Sequence, residues 1–295
     1  MLNPKSKICL TIAGLDPSGG AGVIADIKTF SAFGCFATAA ISSITFQNTT
    51  GVFGALHQTA ETVRSQVEPV IQDYTIDAVK TGMLPTREVI EETARLIQEN
   101  KLKNVVIDPV VRSTSGFDLI SDSALRSLVE LLFPLSDIIT PNIPEAERIS
   151  GIKIETGDNI EKAARIMQSM GARNVLIKGG HLVNADFGLR NADLGRNATV
   201  TKRADLESKG QKPKTKNPKA RDFLFIGTEL HIFEADFIET TATHGTGCTL
   251  AAAIAANMAL GKSLKEAVEI SKKFVTDAIR TAPNLGHGHS PISIK

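Results

Sequence analysis

Aromatic residues, cysteine and long apolar runs are all scarce in this chain of 295 residues. There is no tryptophan and a single tyrosine, which largely excludes the stacking surfaces that bind single-stranded nucleic acid. The three cysteines, Cys9, Cys35 and Cys248, lie far apart and form no CxxC pair, so neither a disulfide scaffold nor a zinc site is expected. No apolar run approaches the roughly 20 residues that span a bilayer. We therefore expect neither a nucleic-acid nor a membrane partner.

The amino-terminal apolar stretch is too short for a secretory signal. It runs from Ile8 to Gly14, is broken by Thr11, and is followed by Asp16 and Pro17. A signal peptide needs a longer apolar segment and a small-residue cleavage site. We expect a cytoplasmic protein.

Charge is nearly balanced over the whole chain, at a formal +1, but it is uneven along it. Residues 202–221 hold eight basic and two acidic residues, a net +6, so the remainder carries −5. The longer segment 183–221 is polar and has no apolar period, which is typical of a surface insertion within a domain. We expect that its basic part, residues 202–219, can be replaced by a short Gly-Ser linker with activity kept within a few-fold. The alternative is that the segment lies over a bound ligand.

Short apolar runs alternate with helical patterns over most of the sequence. Thr86 is a candidate cap for a helix reaching about Asn100, and Ser263 with Glu266 forms a capping-box pattern for another reaching about Thr281. Asp158 with Glu161 predicts a third helix start, with Gly171 at its carboxyl end. The predicted strands are residues 8–13, 76–80, 105–108, 138–140 and 175–178, followed by a hairpin of 223–226 and 230–233.

Single strands separated by helices imply parallel pairing with right-handed crossovers. The fold class is therefore α/β: a three-layer α/β/α sandwich with a mainly parallel central sheet. We expect one domain over residues 1–295, with 183–221 inserted in it. Ligands of such a sheet bind beyond the carboxyl ends of its strands.

Two glycine-rich loops are candidates for ligand contact. Residues 14–22 follow the first strand, and their glycines permit close backbone approach to a ligand; a tight β–α turn with an Asp16 cap is the alternative. Residues 243–249 form a glycine-punctuated turn that enters an alanine-rich helix. Its free backbone N–H groups can hold a phosphate, and Cys248 in the first turn is expected to have a low pKa. The alternative is a packing turn with an inert cysteine.

Two further loops carry polar residues at the ends of strands. Asn142 and Glu145 are oxygen donors that suit Mg²⁺ bound through water, or equally a helix capping box. Lys178, beside two glycines, is either a phosphate contact or a solvated strand end.

Taken together, these loops form a series of motifs in a fixed order: Thr11-Ile12-Ala13-Gly14, Asp16-Pro17-Ser18-Gly19-Gly20-Ala21-Gly22, Ala25-Asp26-Ile27-Lys28-Thr29-Phe30, Gln47-Asn48-Thr49, Lys80-Thr81-Gly82-Met83-Leu84, Val106-Ile107-Asp108-Pro109-Val110, Thr140-Pro141-Asn142-Ile143-Pro144-Glu145-Ala146, Lys178-Gly179-Gly180-His181 and His244-Gly245-Thr246-Gly247-Cys248. The series resembles the ribokinase superfamily, and within it the hydroxymethylpyrimidine/phosphomethylpyrimidine kinases of thiamine biosynthesis. The resemblance covers almost the whole chain outside 183–221.

The resemblance implies an ATP- and Mg²⁺-dependent kinase, a homodimer, whose substrate is a small pyrimidine. Gln47 corresponds to the glutamine that pairs with the aminopyrimidine. Cys248 stands where most relatives carry a catalytic aspartate, and the family uses it as the base for the substrate hydroxymethyl group. The other implied residues are Gly245, Thr246 and Gly247 in the anion hole; Met83, Gly14, Ala21, Asp26 and Val110 at the substrate; Lys178, Asn142, Thr140 and Asp108 at the nucleotide; and Asp108 and Glu145 at the metal.

Three positions depart from the family pattern. Thr241 and Ala242 stand where the family usually has Lys and Asn, and Thr114 replaces a lysine in a loop that covers the phosphates. Two alternatives stay open: a pyridoxal kinase, because close relatives share the scaffold and the cysteine, and a catalytically silent pyrimidine-binding module, which the three departures suggest. Gln47-Asn48-Thr49 favours pyrimidine over pyridoxal.

Overall fold

The computed structural model describes residues 6–111, 118–180 and 218–295. Within these ranges the chain forms nine strands, numbered β1 to β9 in chain order: Ile8–Leu15, Phe36–Asn48, Gly51–His57, Ala78–Thr81, Val105–Ile107, Ile138–Ile139, Asn174–Gly179, Lys219–Ile226 and Glu229–Asp236. They form one central sheet in the order β3-β2-β1-β4-β5-β6-β7-β8-β9. Strands β2, β1, β4, β5, β6 and β7 run parallel, while β3 at one edge and the β8–β9 hairpin at the other are antiparallel.

Helices cover both faces of the sheet, so the predicted three-layer α/β fold is confirmed. In the described residues the α-helices, numbered α1 to α8 in chain order, are Gly22–Ala32, Ala60–Asp73, Arg87–Glu99, Asp122–Leu132, Ile143–Ser150, Gly157–Ser169, Thr246–Ala259 and Leu264–Arg280. Helices α2 to α6 pack on one face, and α1, α7 and α8 pack on the other. Both interfaces are apolar, with the fully buried Phe133 on the first and Phe30 on the second.

Helix caps test the sequence patterns directly. The Thr86 hydroxyl accepts the Val89 N–H at the start of α3, and the capping box of Ser263 with Glu266 opens α8, both as predicted. The predicted cap at Asp158 is wrong, because the Thr156 hydroxyl accepts the Asn159 N–H and begins α6 two residues earlier. Asp158 instead lies in the first turn, where its negative charge suits the helix dipole.

The sequence patterns missed β2 and β3. Strand β2 is rich in serine, threonine and alanine, and β3 contains two glycines, so neither has the apolar run by which the other strands were recognised. The predicted insertion also ends too late, since Lys219 and Arg221 belong to β8 and pair with Asp236 and Glu234 on β9. The rest of that segment lies outside the described residues, as do Thr114 and His181. Within the described ranges, no helix is long and apolar enough to cross a membrane.

Candidate active site

A cavity of about 1050 Å³ opens at the carboxyl ends of the parallel strands. Its wall includes residues that directly follow β1, β4, β5 and β7. Strand β2 lies on one side of β1 within the sheet, and the chain then returns to place β4 on the other side of β1. Such a reversal leaves a crevice beyond the strand ends, which is where α/β sheets bind ligands.

Asp16 organises the loop after β1. Its carboxylate accepts the backbone N–H groups of Ser18 (2.8 Å), Gly20 (3.2 Å) and Ala21 (2.8 Å), and His244 Nε2 lies 2.7 Å from Oδ2. Burial alone would raise the pKa of Asp16, but hydrogen bonds from His244, Ser18 and Gln47 outweigh it and hold the pKa well below its usual range. The loop is therefore a β–α turn built around an ionised carboxylate, and it also lines the cavity.

The glycine turn before α7 brings backbone to the cavity surface. Gly245 has φ +83, and a Cβ there would lie 1.8 Å from the Gly20 carbonyl oxygen, so no other residue fits. A Cβ on Gly247 would lie 3.3 Å from Lys178 Nζ and 3.8 Å from Asp108 Oδ2. Helix α7 begins at Thr246, and its first N–H groups have no partner within the helix. The turn has the features of an anion site.

Cys248 faces the cavity from the first turn of α7, but its predicted low pKa is wrong. Burial raises the pKa of the thiol to about 11, against the lowering effects of Lys80 and of a hydrogen bond from the Gly22 N–H. Two negative neighbours, Asp26 and Asp108, raise it further. Loss of hydration therefore outweighs the position at the helix start.

Asp108 and Lys178 form an ion pair in the cavity wall. Lys178 Nζ lies 2.8 Å from Asp108 Oδ1, which also accepts the Thr140 hydroxyl at 2.9 Å. Burial alone would raise the pKa of Asp108, but the charges of Lys178 and Lys80 hold it below its usual value. Thr140 is fully buried and does not line the cavity, so its predicted nucleotide contact is corrected to a role behind Asp108.

Asn142 and Glu145 form the capping box of α5 and also line the cavity. Glu145 Oε2 accepts the Asn142 N–H at 2.8 Å, and Asn142 Oδ1 accepts the Glu145 N–H at 2.9 Å. Burial, together with the charge of Asp108, raises the pKa of Glu145 to about 7, although Lys178 opposes the shift.

Asp26 does not reach the cavity, so its predicted substrate contact is wrong. Its side chain is fully buried, 2.8 Å from Lys80 Nζ and 2.6 Å from the Thr11 hydroxyl. The pair lies on α1 and β4, two elements that both pack against α7. Asp26 therefore acts on Cys248 by charge from behind the cavity wall.

The other proposed site residues are brought together in this one cavity wall. Sequence reasoning assigned no role to the pair of Asp16 and His244, although each lies in a motif that it singled out. The two residues are 228 positions apart, so only the folded chain shows that they meet. The wall includes Gln47, Met83, Gly14, Ala21, Val110, Asp108, Asn142, Glu145, Lys178, Gly245, Thr246, Gly247 and Cys248.

Several known kinases are similar to this chain in sequence and in fold. A curated hydroxymethylpyrimidine/phosphomethylpyrimidine kinase of Bacillus subtilis (strain 168) is 40% identical over 282 residues, covering 96% of this chain and 92% of that protein. A crystal structure of phosphomethylpyrimidine kinase from Clostridium difficile 630 superposes with a TM-score of 0.72 at 36% identity, over 93% of this chain and 100% of that one. The ADP complex of Bacillus subtilis pyridoxal kinase gives a TM-score of 0.80 at 33% identity, over 98% of each chain.

A protein-family model also matches this chain over most of its length. Residues 16–293 fit the family model described as phosphomethylpyrimidine kinase. The matched region begins at Asp16 and includes every residue of the glycine turn before α7. Because it spans most of the chain and the relatives exceed 30% identity, the chain belongs to the phosphomethylpyrimidine kinase family.

Proposed function

We propose that this protein transfers a phosphoryl group from ATP to the hydroxymethyl group of 4-amino-5-hydroxymethyl-2-methylpyrimidine, and then a second one to the monophosphate. The diphosphate produced serves thiamine biosynthesis. The observation that carries the proposal is that Gln47, Cys248 and the glycine turn before α7 open onto one cavity. A ring-recognising amide, a group for the attacking hydroxyl and a phosphate site are thus within reach of one small substrate.

The pyrimidine end lies where Gln47, Met83 and Gly14 line the cavity. Met83 packs directly against Gly14, where an added Cβ would come within 3.2 Å of the methionine sulfur. The glycine thus lets the thioether lie close to the backbone, and together they offer an apolar surface to a flat ring. The Gln47 amide can donate and accept at the same time, as the edge of an aminopyrimidine requires.

The phosphate end lies at the glycine turn and Lys178. Backbone N–H groups at the start of α7 and the Lys178 ammonium group offer positive potential where the transferred phosphoryl group carries negative charge. The remaining cavity, lined by Thr240 and by Lys272 and Thr276 of α8, has room for the nucleoside of ATP.

The acidic residues fit a magnesium ion held largely by water and phosphate. Asp108 turns Oδ2 toward Gly247, and within the described ranges this oxygen accepts no hydrogen bond. Glu145, in contrast, already accepts hydrogen bonds from the backbone N–H groups of Asn142 and Val111. The described residues contain no cluster of three or more His, Cys, Asp or Glu side chains arranged to hold a metal. Mg²⁺ at kinase sites commonly takes one or two carboxylates and completes its shell with water and phosphate oxygens. When bound, the ion would neutralise charge on the phosphates, with Asp108 as its protein contact and Glu145 acting through water.

Within this arrangement Cys248 holds the attacking hydroxyl of the substrate. Phosphoryl transfer passes through a loose transition state that needs little charge on the attacking oxygen, so positioning accounts for most of the catalysis. A thiol with a raised pKa is therefore sufficient, because early removal of the hydroxyl proton is not required.

The proposal is tested by measuring ATP consumption with hydroxymethylpyrimidine, its monophosphate and pyridoxal side by side. We expect both pyrimidines to be phosphorylated with kcat/KM above that of pyridoxal. Pyridoxal kinase is the second candidate, favoured by the superposition on the Bacillus subtilis enzyme. A higher kcat/KM for pyridoxal than for the pyrimidines would replace the proposal with that candidate. If ATP is not consumed with any of the three compounds, the result would support a silent binding module.

Replacing Gln47 tests how the ring is recognised. Gln47→Ala should raise the KM for the pyrimidine, because a polar ring edge loses its hydrogen-bond partner. The expected loss of binding free energy is about 1–3 kcal/mol. The KM for ATP should change little. Gln98→Ala, which removes an exposed glutamine from α3, is the matched control and should behave as wild type. An unchanged pyrimidine KM in Gln47→Ala would contradict the assignment.

A further inference from the structure

Thr49, in the turn between β2 and β3, holds the carboxyl-terminal segment, residues 285–291. Its hydroxyl accepts the N–H groups of His287 at 3.2 Å and Gly288 at 3.3 Å, and its carbonyl oxygen accepts the His289 N–H at 2.8 Å. A Cβ on Gly288 would lie 2.1 Å from the Thr49 carbonyl oxygen, so a side chain there would force the two segments apart. The contact is therefore a close one that depends on both residue types.

The carboxyl-terminal segment is also attached to the glycine turn before α7. The His244 N–H donates to the Ser290 carbonyl oxygen at 3.2 Å. His289 Nδ1 lies 3.5 Å from the Thr243 hydroxyl oxygen. The segment therefore connects the turn of the β2–β3 hairpin with the start of α7.

His289 is the residue of this segment that lines the cavity. Its backbone is bonded to Thr49, which follows the ring-recognising Gln47 by two residues. Its imidazole lies beside Thr243, two residues before the glycine turn at Gly245. His289 therefore lies between the groups proposed for the pyrimidine ring and those proposed for the phosphate.

The imidazole of His289 has one nitrogen left for a ligand. Within the described residues only Nδ1 has a hydrogen-bonding neighbour, the Thr243 hydroxyl. When that hydroxyl donates to Nδ1, the proton of the neutral ring lies on Nε2, where it can be donated to an anion.

The second phosphorylation needs a donor at this place. Its substrate already carries a phosphate group with up to about two negative charges. The glycine turn and Lys178 are taken by the phosphoryl group that arrives from ATP. The alcohol used in the first step carries no charge, so a donor beside the substituent distinguishes the two substrates.

We propose that His289 is a specificity-determining residue, which donates a hydrogen bond to the phosphate of the monophosphate substrate, and that Thr49 is its positioning residue. The inference rests on the proposed function, because it concerns the second substrate of the same site. It gives a role to a segment at the far end of the chain and to a motif residue that the ring pocket does not use.

The test compares the binding of hydroxymethylpyrimidine and of its monophosphate by calorimetry without ATP. His289→Ala should weaken binding of the monophosphate by about tenfold or more, and binding of the alcohol by less than about twofold. His289→Gln keeps an N–H donor and should recover part of the loss. His287→Ala is the matched control, because the His287 side chain is exposed and its bond to Thr49 is made by the backbone. Both affinities should then equal those of wild type.

Thr49 is tested through His289. Thr49→Val removes the hydroxyl that accepts two N–H groups and should cause the same selective loss, whereas Thr49→Ser keeps the hydroxyl and should bind as wild type does. In a His289→Ala background, Thr49→Val should not change the ratio of the two dissociation constants any further. A further change would show that Thr49 acts by another route and would overturn its assignment as a positioning residue.

A purely structural role of His289 makes a different prediction. An equal loss for both ligands in His289→Ala, or no loss, overturns the proposal, and so does failure of wild type to bind the monophosphate. Phosphoryl transfer is measured in parallel. A selective loss of monophosphate binding without transfer in wild type would refute the proposed kinase activity and leave the role of His289 standing. Transfer in wild type with unchanged monophosphate binding in His289→Ala would do the reverse.

A measurement on wild type serves if His289→Ala does not fold. The monophosphate should shift the NMR signals of the His289 ring protons, the alcohol should shift them much less, and neither should move those of the exposed His287. The His289 signals are assigned by their disappearance in His289→Gln. Equal shifts of the His289 signals with the two ligands would overturn the proposal.

Discussion

At the scale of single residues, the cysteine in the first turn of α7 shows how burial competes with charge. Cys248 lies near two positive side chains, Lys80 and Lys178, and two negative ones, Asp26 and Asp108, and its pKa is raised to about 11 chiefly by burial. Its sulfur is therefore a thiol at neutral pH in the unliganded protein. The role left to it is to hold the substrate hydroxyl rather than to act as a preformed thiolate.

Alkylation measures this directly. Iodoacetamide reacts with the thiolate, whose fraction rises about tenfold per pH unit below the pKa, so modification of Cys248 should accelerate steadily from pH 7 to pH 10. Cys9 and Cys35 are buried in the core and should remain unmodified, which makes them internal controls. A rate that levels off near pH 7 would show a low pKa and contradict the account.

Substitution tests the catalytic contribution of the same residue. Cys248→Ser keeps a small polar side chain, but its shorter bond to oxygen draws the contact away from the substrate hydroxyl, so kcat should fall by about tenfold or more while the pyrimidine KM changes little. Steady-state kinetics with saturating ATP give the two parameters separately. Full activity in Cys248→Ala would show that the thiol is not needed.

The sequence predicted most of the residues that line the cavity but not their electrostatics. Lys178 and Cys248 were singled out from their own motifs, at the end of a strand and the start of a helix, whereas Gln47 and Asp108 were assigned by the family resemblance. The raised pKa of Cys248 depends on how much water the folded cavity removes, which no motif encodes. Asp26 was misplaced for a similar reason, since an acidic residue in a motif gave no sign that Lys80 pairs with it inside the core.

At the scale of elements, α2 and α3 are joined by a buried carboxylate. Glu92 on α3 accepts hydrogen bonds from Arg64 on α2 and from Arg95. These bonds lower the pKa of Glu92 to about 2, against burial, which would raise it. The folded pKa is below the unfolded one, so the stabilisation is present above about pH 4.5 and is lost as pH falls toward 2.

Glu92→Gln should therefore cost more stability at neutral than at acid pH. We expect a loss of about 1–3 kcal/mol in the free energy of unfolding at pH 7, and a smaller loss at pH 3, from urea titrations. Glu91→Gln is the control, because Glu91 pairs with Arg87 at the exposed surface and should contribute under about 0.5 kcal/mol. Equal losses for Glu92→Gln at both pH values would contradict the prediction.

Elements with a strong local signal were predicted, and those defined by their neighbours were not. The start of α8 is encoded by Ser263 and Glu266 within four residues, so the sequence reveals it. Strand β2 is a strand because β1 and β3 flank it, and its serines, threonines and alanines give no comparable signal. The cap of α6 is likewise Thr156 rather than the predicted Asp158, because both residues can cap a helix and the local sequence does not decide between them.

At the scale of the whole molecule, the β2–β3 hairpin carries apolar side chains on an exposed edge. Phe53 is 69% exposed, Leu56 56% and Phe46 53%, and within the described sheet β3 pairs only with β2. An exposed edge strand with large apolar residues is a surface suited to pairing with another chain. We propose this edge as the contact of the expected homodimer.

The cytoplasmic location of the protein also remains a prediction.

Phe53→Glu tests that contact. A charge on the edge should turn a dimer into a monomer, as measured by light scattering after size-exclusion chromatography. Leu260→Glu alters an exposed apolar residue just after α7 and should leave the oligomeric state unchanged. A wild-type protein that is already monomeric, or a Phe53→Glu protein that stays dimeric, would contradict the prediction.

The convergence of the loops at one end of the sheet was predictable, because parallel strands place their carboxyl ends together. The path of the cavity between them was not, since it depends on pairs such as Asp16 with His244 that join opposite ends of the chain. Those pairs turn separate motifs into one site.

Phosphorus NMR of wild type with ATP, Mg²⁺ and hydroxymethylpyrimidine tests the central claim most directly. The account predicts that ATP signals give way to those of ADP and a pyrimidine monophosphate ester, and then to the diphosphate. Conversion of ATP to ADP and inorganic phosphate alone, or ester formation only when pyridoxal replaces the pyrimidine, would contradict it.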